Sequence, residues 1–319
     1  MPSGETMSTE SAESKRCHVL SLDGGGAKGF YTLGVLAELE AMLGGRLHEH
    51  FDLIYGTSTG AIIAALLGLG HSVEEVHALY RAHVVKVMAA KKPADKTAAL
   101  AKLAQEVFGG AVFADMKTGV GLVATKWAIE KPMIFKSRAE QVHGRLATFT
   151  PGFGCTVADA VQASCSAFPF FARKSATTAQ GDTVELADGG FCANNPTLYA
   201  IADATAGMQA PREALRVVSI GVGVYPPPKV KIFSTKWFGA RLVGVDLIEK
   251  ILETNTQSME ELRTVLFKDV ATIRISETFS APEMATDLFE HDLTKLNLLR
   301  QRGRESFASH EADLRRHLV

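Results

Sequence analysis

The sequence predicts an α/β fold built on a mainly parallel sheet. Two strand–glycine turn–helix units follow one another, residues 18–22 into 27–43 and residues 51–55 into 61–69. Further along, residues 215–222 form a largely apolar run, as expected of a parallel strand covered on both faces. At 319 residues and 46% hydrophobic, the chain can bury a large core, in one α/β domain or two smaller ones.

Each element has its own local reason. The polar residues 1–16 are expected to form a flexible tail. His18-Val19-Leu20-Ser21-Leu22 reads as a buried strand, ended by Asp23-Gly24-Gly25-Gly26. The helix after it places Phe30, Leu33, Leu36, Leu39 and Leu43 on one face and stops at Gly44-Gly45. The second strand, 51–55, runs into Gly56-Thr57-Ser58-Thr59-Gly60, and the apolar helix behind it stops at Gly70. Residues 71–112 read as helical and more polar, lysine-rich in the middle and broken at Pro93. A strand follows at 120–128, with 133–135 extending it or pairing with it. Residues 156–165 form a helix entered through Pro151-Gly152 and closed before Pro169, and the strand 184–187 delivers Asp188-Gly189-Gly190. Pro226-Pro227-Pro228 is the clearest break in the chain. Beyond it Leu242, Val245, Ile248, Leu252, Met259, Leu262 and Leu266 keep helical spacing, residues 267–275 suggest a last strand, and a charged helical tail closes the chain.

Composition removes several function classes. Lys plus Arg is 34 and Asp plus Glu is 35, a formal net charge of −1, so a nucleic-acid polymer is not the expected partner. No apolar run reaches the roughly 18 residues of a membrane span, and the N-terminus lacks the apolar core of a secretory signal. Cys17, Cys155, Cys165 and Cys192 lie far apart without a C-x-x-C pair, which suits reduced core thiols. A soluble, cytoplasmic protein is the expectation.

Three glycine turns can carry chemistry. Gly56-Thr57-Ser58-Thr59-Gly60 fits G-x-S-x-G between an apolar strand and an apolar helix, where a strained turn would push Ser58 forward as a nucleophile. Asp23-Gly24-Gly25-Gly26-Ala27-Lys28-Gly29 fails the phosphate-loop pattern, because Lys28 precedes Gly29 and Phe30 stands where a magnesium-binding hydroxyl would be. Its glycines would instead offer backbone N–H groups as an oxyanion hole, if Ser58 lies opposite. Asp188-Gly189-Gly190 ends a strand, with Asn194-Asn195-Pro196 close behind; an acid at the carboxyl edge of a parallel sheet lies where ligands bind.

Taken together and in this order, the turns resemble those of the patatin-like phospholipases, as do the segment Ala163-Ser164-Cys165-Ser166-Ala167-Phe168-Pro169 and Asn194-Asn195-Pro196. The resemblance covers about residues 17–225; residues 226–319 carry no motif of the family. It implies a three-layer α/β fold, a mainly parallel central sheet flanked by helices, with a helical C-terminal addition. It further implies a catalytic domain at 17–225; outside the resemblance, the economical reading of 226–319 is a part packed on the same domain, as a lid or regulatory element. By the same resemblance Ser58 is the nucleophile and Asp188 the general base of a dyad, and Gly24, Gly25 and Gly26 supply oxyanion N–H groups. No metal and no cofactor is called for. The reaction implied is cleavage of glycerophospholipid esters through an acyl-enzyme.

Two other functional readings stay open at this point. Ser58, Asp188 and His291 follow the chain order of an α/β-hydrolase triad, and the glycine turns could hold a nucleotide in a non-catalytic signalling module. Lipid access has two candidate segments: a basic stretch (Lys86, Lys91, Lys92, Lys96, Lys102) and a basic–aromatic one (Lys229, Lys231, Phe233, Lys236, Trp237, Phe238, Arg241). The expected partner is therefore a phospholipid membrane surface, met peripherally at the inner membrane. Stand-alone bacterial members of the family include effectors switched on by a cyclic nucleotide in anti-phage defence, so a cyclic-nucleotide activator is the second expected partner.

Overall fold

The computed structural model describes residues 15–144, 146–228 and 236–319, with backbone alone for Leu146 and residues 236–243. The elements in chain order are β1 (Cys17–Leu22), α1 (Gly29–Leu43), α2 (Leu47–His50), β2 (Leu53–Thr57), α3 (Thr59–Leu69), α4 (Val73–Ala89) and α5 (Pro93–Phe108). Then come β3 (Gly119–Lys126), β4 (Lys131–Lys136), α6 (Val157–Ser164), β5 (Lys174–Thr177), β6 (Thr183–Asp188), α7 (Gly190–Ala193) and α8 (Thr197–Ala202). β7 (Leu215–Ile220), α9 (Lys236–Leu266), β8 (Ala271–Ile275) and α10 (Leu293–Leu318) complete the fold.

Among the described residues eight strands form one sheet in the order β5-β6-β3-β2-β1-β7-β8, with β4 also on β3. The run β3-β2-β1-β7-β8 is parallel, as the two strand–turn–helix units require, whereas β4, β5 and β6 join antiparallel. Alternate strand residues face two separate apolar clusters. Leu20, Ile54, Val218 and Ile220 point into the larger one, with α1, α3, α4, α5, α6 and α10. Val19, Leu53, Tyr55 and Val217 point the other way, against Ala200 and Ile201 of α8. A side-chain period of two, buried on both faces, makes the three layers.

Several boundaries move for local reasons. The helix expected from Ala27 starts as a 3-10 turn at Gly26–Lys28 and becomes α-helical at Gly29. The second strand lies at Leu53–Thr57, two residues beyond its expected place; Asp52, just before it, still bonds to both neighbours, its N–H donating to the His18 carbonyl at 2.9 Å and its carbonyl accepting the Gly119 N–H at 3.1 Å. The last strand is short, 271–275, because α9 runs on to Leu266. Pro93 starts α5 at its first turn, where a missing N–H costs nothing.

The C-terminal segments are built into the same body. β8 pairs with β7 through Arg216–Ala271 to Ile220–Ile275. Helix α10 lies on α1 at a distance only glycine allows: a Cβ on Gly34 would sit 2.0 Å from the Arg300 carbonyl oxygen, and one on Gly303 would sit 2.1 Å from that of Tyr31. Leu296, Leu299, Phe307 and Leu314 of α10 are buried there. Cys17, Cys155 and Cys165 are buried free thiols, and Cys192 is half-buried. Among the described residues, no helix is long and apolar enough to cross a membrane.

Candidate active site

Ser58 sits between β2 and α3 at φ 53, ψ −121, a conformation that costs an L-residue strain and that a tightly packed turn must enforce. The enforcement comes from backbone contact: a Cβ on Gly60 would lie 2.3 Å from the Leu22 carbonyl oxygen, so only glycine lets α3 approach the end of β1 this closely. Ser164 supplies the remaining restraint. Its hydroxyl accepts the Ser58 N–H at 2.9 Å and donates to the Val123 carbonyl at 2.5 Å.

Strand register brings Asp188 to this serine. One edge of β3 is taken by β4 over residues 121–126, so β2 and β6 must divide the other. Thr57 is the last β2 residue there, opposite Val123; Asp188 of β6 stands opposite Ala124, the next position. The turn after β2 and the turn after β6 therefore meet, and Ser58 Oγ donates to Asp188 Oδ2 at 2.7 Å. The acid expected at the carboxyl edge of the parallel sheet stands just beyond the last residue of β2, but the strand that delivers it is not parallel. Asp188 ends an antiparallel strand, abutting β2 end to end.

Asp188 is 2% exposed. Its second oxygen, Oδ1, accepts the Gly190 N–H at 2.7 Å, and Thr125 Oγ1 donates to its carbonyl at 2.9 Å. Burial pushes the carboxyl from its ordinary 3.8 up to about 7, with the Gly190 and Ser58 hydrogen bonds opposing.

The glycine turn after β1 faces the same pair, but its three residues are not equivalent. The Gly24 N–H donates to the Asn194 carbonyl at 3.0 Å, so this N–H is committed and cannot serve as the oxyanion donor the sequence suggests. The N–H groups of Gly25 and Gly26 donate no hydrogen bond to a described residue. Two elements outside the motifs hold the turn. Arg274 of β8 makes a two-point ion pair with the buried Asp23, one contact being Nη1 to Oδ1 at 2.9 Å, and also donates to Ser219 Oγ at 2.8 Å. Asn194 donates from Nδ2 to the Gly24 carbonyl at 3.2 Å and to Thr256 Oγ1 of α9 at 2.8 Å, while its backbone N–H donates to Asn255 Oδ1 at 2.8 Å. No motif announces Arg274, Asn255 or Thr256. Arg274 left one signal, a charge inside the otherwise uncharged strand Ala271–Ile275, whereas Asn255 and Thr256 lie in a polar run of α9 and left none.

Ser58 and Asp188 open on an apolar pocket whose walls include Ile62, Val87, Met88, Leu100, Leu103 and Phe171. Leu252 of α9 and the pair Leu288–Phe289 line it as well, Leu252 packed against Gly190 and Leu288 against Gly26. Such a lining accepts a hydrocarbon chain and offers no counter-ion to a charged one.

Other expected residues lie elsewhere. His291 is exposed on the loop before α10, its Nδ1 3.0 Å from the Phe289 carbonyl oxygen, and no imidazole reaches Asp188 among the described residues. The triad reading is therefore set aside. Lys96 is not part of a solvated basic face: it is 2% exposed. Its Nζ donates to the Met88 carbonyl at 2.8 Å and the Val87 carbonyl at 3.3 Å, at the C-terminal end of α4, and lies 4.2 Å from the Phe289 ring centre. Carbonyls left free at a helix C-terminus carry the negative end of the helix dipole, which favours a cation there. Lys86, Lys91 and Lys92 are exposed, and Lys102 pairs with Glu106 at 3.6 Å. The side chains of the segment Lys229 to Arg241 lie outside the described residues.

Fold and pocket together define the class, a three-layer α/β protein of the acyl-hydrolase type. The patatin-like phospholipase family model matches residues 20–201, and the chain belongs to that family. It is 58% identical over 320 residues to a cUMP-AMP-activated phospholipase of Escherichia coli, covering 99% of this chain and 98% of that protein. A cGAMP-activated phospholipase of Pseudomonas aeruginosa is 30% identical over 216 residues, 64% of this chain and 62% of that one.

Proposed function

We propose that this chain hydrolyses glycerophospholipid esters with Ser58 as nucleophile and Asp188 as general base. The observation that carries the reading is the 2.7 Å hydrogen bond from Ser58 Oγ to a buried carboxylate at the wall of an apolar pocket. Asp188 takes the hydroxyl proton as Oγ attacks the ester carbonyl, and the oxyanion is met by the N–H groups of Gly25 and Gly26. The carbon–oxygen bond to the glycerol side then breaks, and the alkoxide leaves with the proton from Asp188. Water, losing a proton to the same carboxylate, attacks the acyl-enzyme, and the proton returns to Ser58 Oγ as the fatty acid is released. The acyl chain lies between α4 and α5. An oxyanion donor is worth about 3 kcal/mol in comparable sites.

An Asp of ordinary acidity is a weak base; one raised to about 7 is matched to neutral pH. The rate should therefore rise through a single ionisation near pH 7 and stay flat above it. The same shift has the opposite sign for stability. The folded state holds the proton that the unfolded state has released, so this group's contribution to stability falls as pH rises from about 4 to 7. A pH series of kcat/KM alongside thermal melts checks both signs. A rate already flat from pH 5 would contradict the role given to Asp188.

We further propose that turnover is held low until a cyclic dinucleotide binds, and that the active enzyme works at the inner membrane surface as a defence effector. Support comes from the 58% identity to the cUMP-AMP-activated enzyme along nearly the whole chain. Phosphatidylglycerol/phosphatidylethanolamine vesicles incubated with the protein, with cUMP-AMP, with cGAMP and without either, should release fatty acid fastest with cUMP-AMP. Equal rates in all three would remove the switch.

A further inference from the structure

We infer that an aromatic collar beside the dyad is the surface by which the chain docks on a phospholipid bilayer. Trp127, Phe168 and Phe191 come from three separate segments. Their rings meet, with Trp127 5.5 Å from Phe168 and 5.9 Å from Phe191, centre to centre. The Arg173 guanidinium lies over two of them, 5.2 Å from the Trp127 ring and 5.1 Å from that of Phe168. This cluster is not core. Phe168 is 38% exposed, Trp127, Phe191 and Arg173 are half-buried, and Ile129, at the tip of the β3–β4 hairpin, is 56% exposed.

Position links the collar to the reaction. Trp127 follows β3 at the end where Val123 and Ala124 pair with Thr57 and Asp188, and its N–H donates to the Glu185 carbonyl at 2.9 Å. Phe191 comes three residues after Asp188, and Phe168 directly follows Ala167, itself a wall of the acyl pocket. A lipid leaving the bilayer at this collar has its ester beside Ser58.

The chemistry selects a membrane rather than a soluble partner. Exposed Phe168 and Ile129 beside the half-buried Trp127, with a guanidinium over the rings, match the headgroup layer, where amphipathic rings sit between hydrocarbon and water. Across the hairpin Lys126 stands opposite Lys131, which is exposed; the acids nearby are Glu130, exposed, and Glu185, which pairs with Arg173 at 3.3 Å. Lys126, Lys131 and Arg173 against Glu130 and Glu185 leave an excess of one cation among these residues, the sign that an anionic leaflet favours.

This inference rests on the acyl-hydrolase reading, and the test separates the two. Full-length wild type, the double variant Ile129→Ser/Phe168→Ser and the conservative Phe168→Trp are floated with phosphatidylglycerol/phosphatidylethanolamine vesicles without nucleotide. The same proteins are then assayed, with cUMP-AMP present, on those vesicles and on a short-chain p-nitrophenyl ester below its micelle concentration. The double variant should lose roughly tenfold or more in vesicle partitioning, since two exposed apolar side chains are removed from the interface. It should lose a similar factor on vesicles, keep ester turnover within about twofold, and Phe168→Trp should bind like wild type. Unchanged partitioning overturns the assignment, and so does an equal loss on ester and vesicles, which would make the rings supports of the site. If wild type cleaves neither substrate, the hydrolase reading fails, while flotation still decides the collar.

Discussion

Ser58→Ala and Asp188→Asn are each expected to lower kcat by roughly 10⁴-fold or more, and together by no more than either alone. Removing Oγ deletes the attacking atom. Asp188→Asn keeps shape and size but removes the proton acceptor, and its amide can donate to Ser58 Oγ, which turns the hydroxyl away from attack. Non-additivity follows because both residues serve one proton transfer. Stability should move the other way. The carboxylate is buried and raised to about 7, so above that pH wild type holds a charge in an apolar place, and the amide relieves it. At pH 8 Asp188→Asn should therefore melt no lower than wild type, which separates lost chemistry from lost folding. Steady-state rates and thermal melts of the two single variants and the double variant check this.

Arg274→Met is expected to cost about 3–5 kcal/mol of folding stability, the usual penalty for leaving one member of a buried ion pair alone. Asp23 is 2% exposed, and Arg274 bonds both of its oxygens. Burial raises the Asp23 carboxyl, chiefly against the pull of Arg274. Without the guanidinium it must rise further, so the folded variant binds a proton that the unfolded chain does not. Its stability therefore drops as pH rises, and the defect should be largest at alkaline pH. Asp23→Asn/Arg274→Met should recover most of the loss, because no charge is stranded. Activity should fall with the single variant as well, since Asp23 begins the turn that carries Gly25 and Gly26. Denaturant titrations at pH 6 and pH 9 measure both effects.

Much of this site can be read in the sequence because its turns are local events. An apolar strand, a glycine turn and an apolar helix specify one another within a few residues, so Ser58 and the turn at Gly24–Gly26 were legible from spacing alone. Which strand lies beside which is not local. Asp188 reaches Ser58 through the division of one β3 edge between β2 and β6, and the antiparallel entry of β6 leaves no mark in its apolar pattern. The short strand β5 and the helices α7 and α8 are similarly mute, each too brief for a period to register. Lys96 misled because a lysine capping helix carbonyls from inside has the same letter and neighbours as one facing water. The Gly24 N–H was misassigned because its acceptor, the Asn194 carbonyl, is distant in sequence. Arg274, Asn255 and Thr256 act at the site from a region without any motif, and only tertiary packing reveals them.

Fluorophosphonate labelling of the intact protein, read by peptide mass spectrometry, tests the central claim most directly, because the reagent records which hydroxyl is activated. With cUMP-AMP present, the account predicts a single adduct on the peptide containing Ser58, formed by wild type and absent from Ser58→Ala and Asp188→Asn. An adduct on another residue, or undiminished labelling of Ser58 in Asp188→Asn, would contradict it.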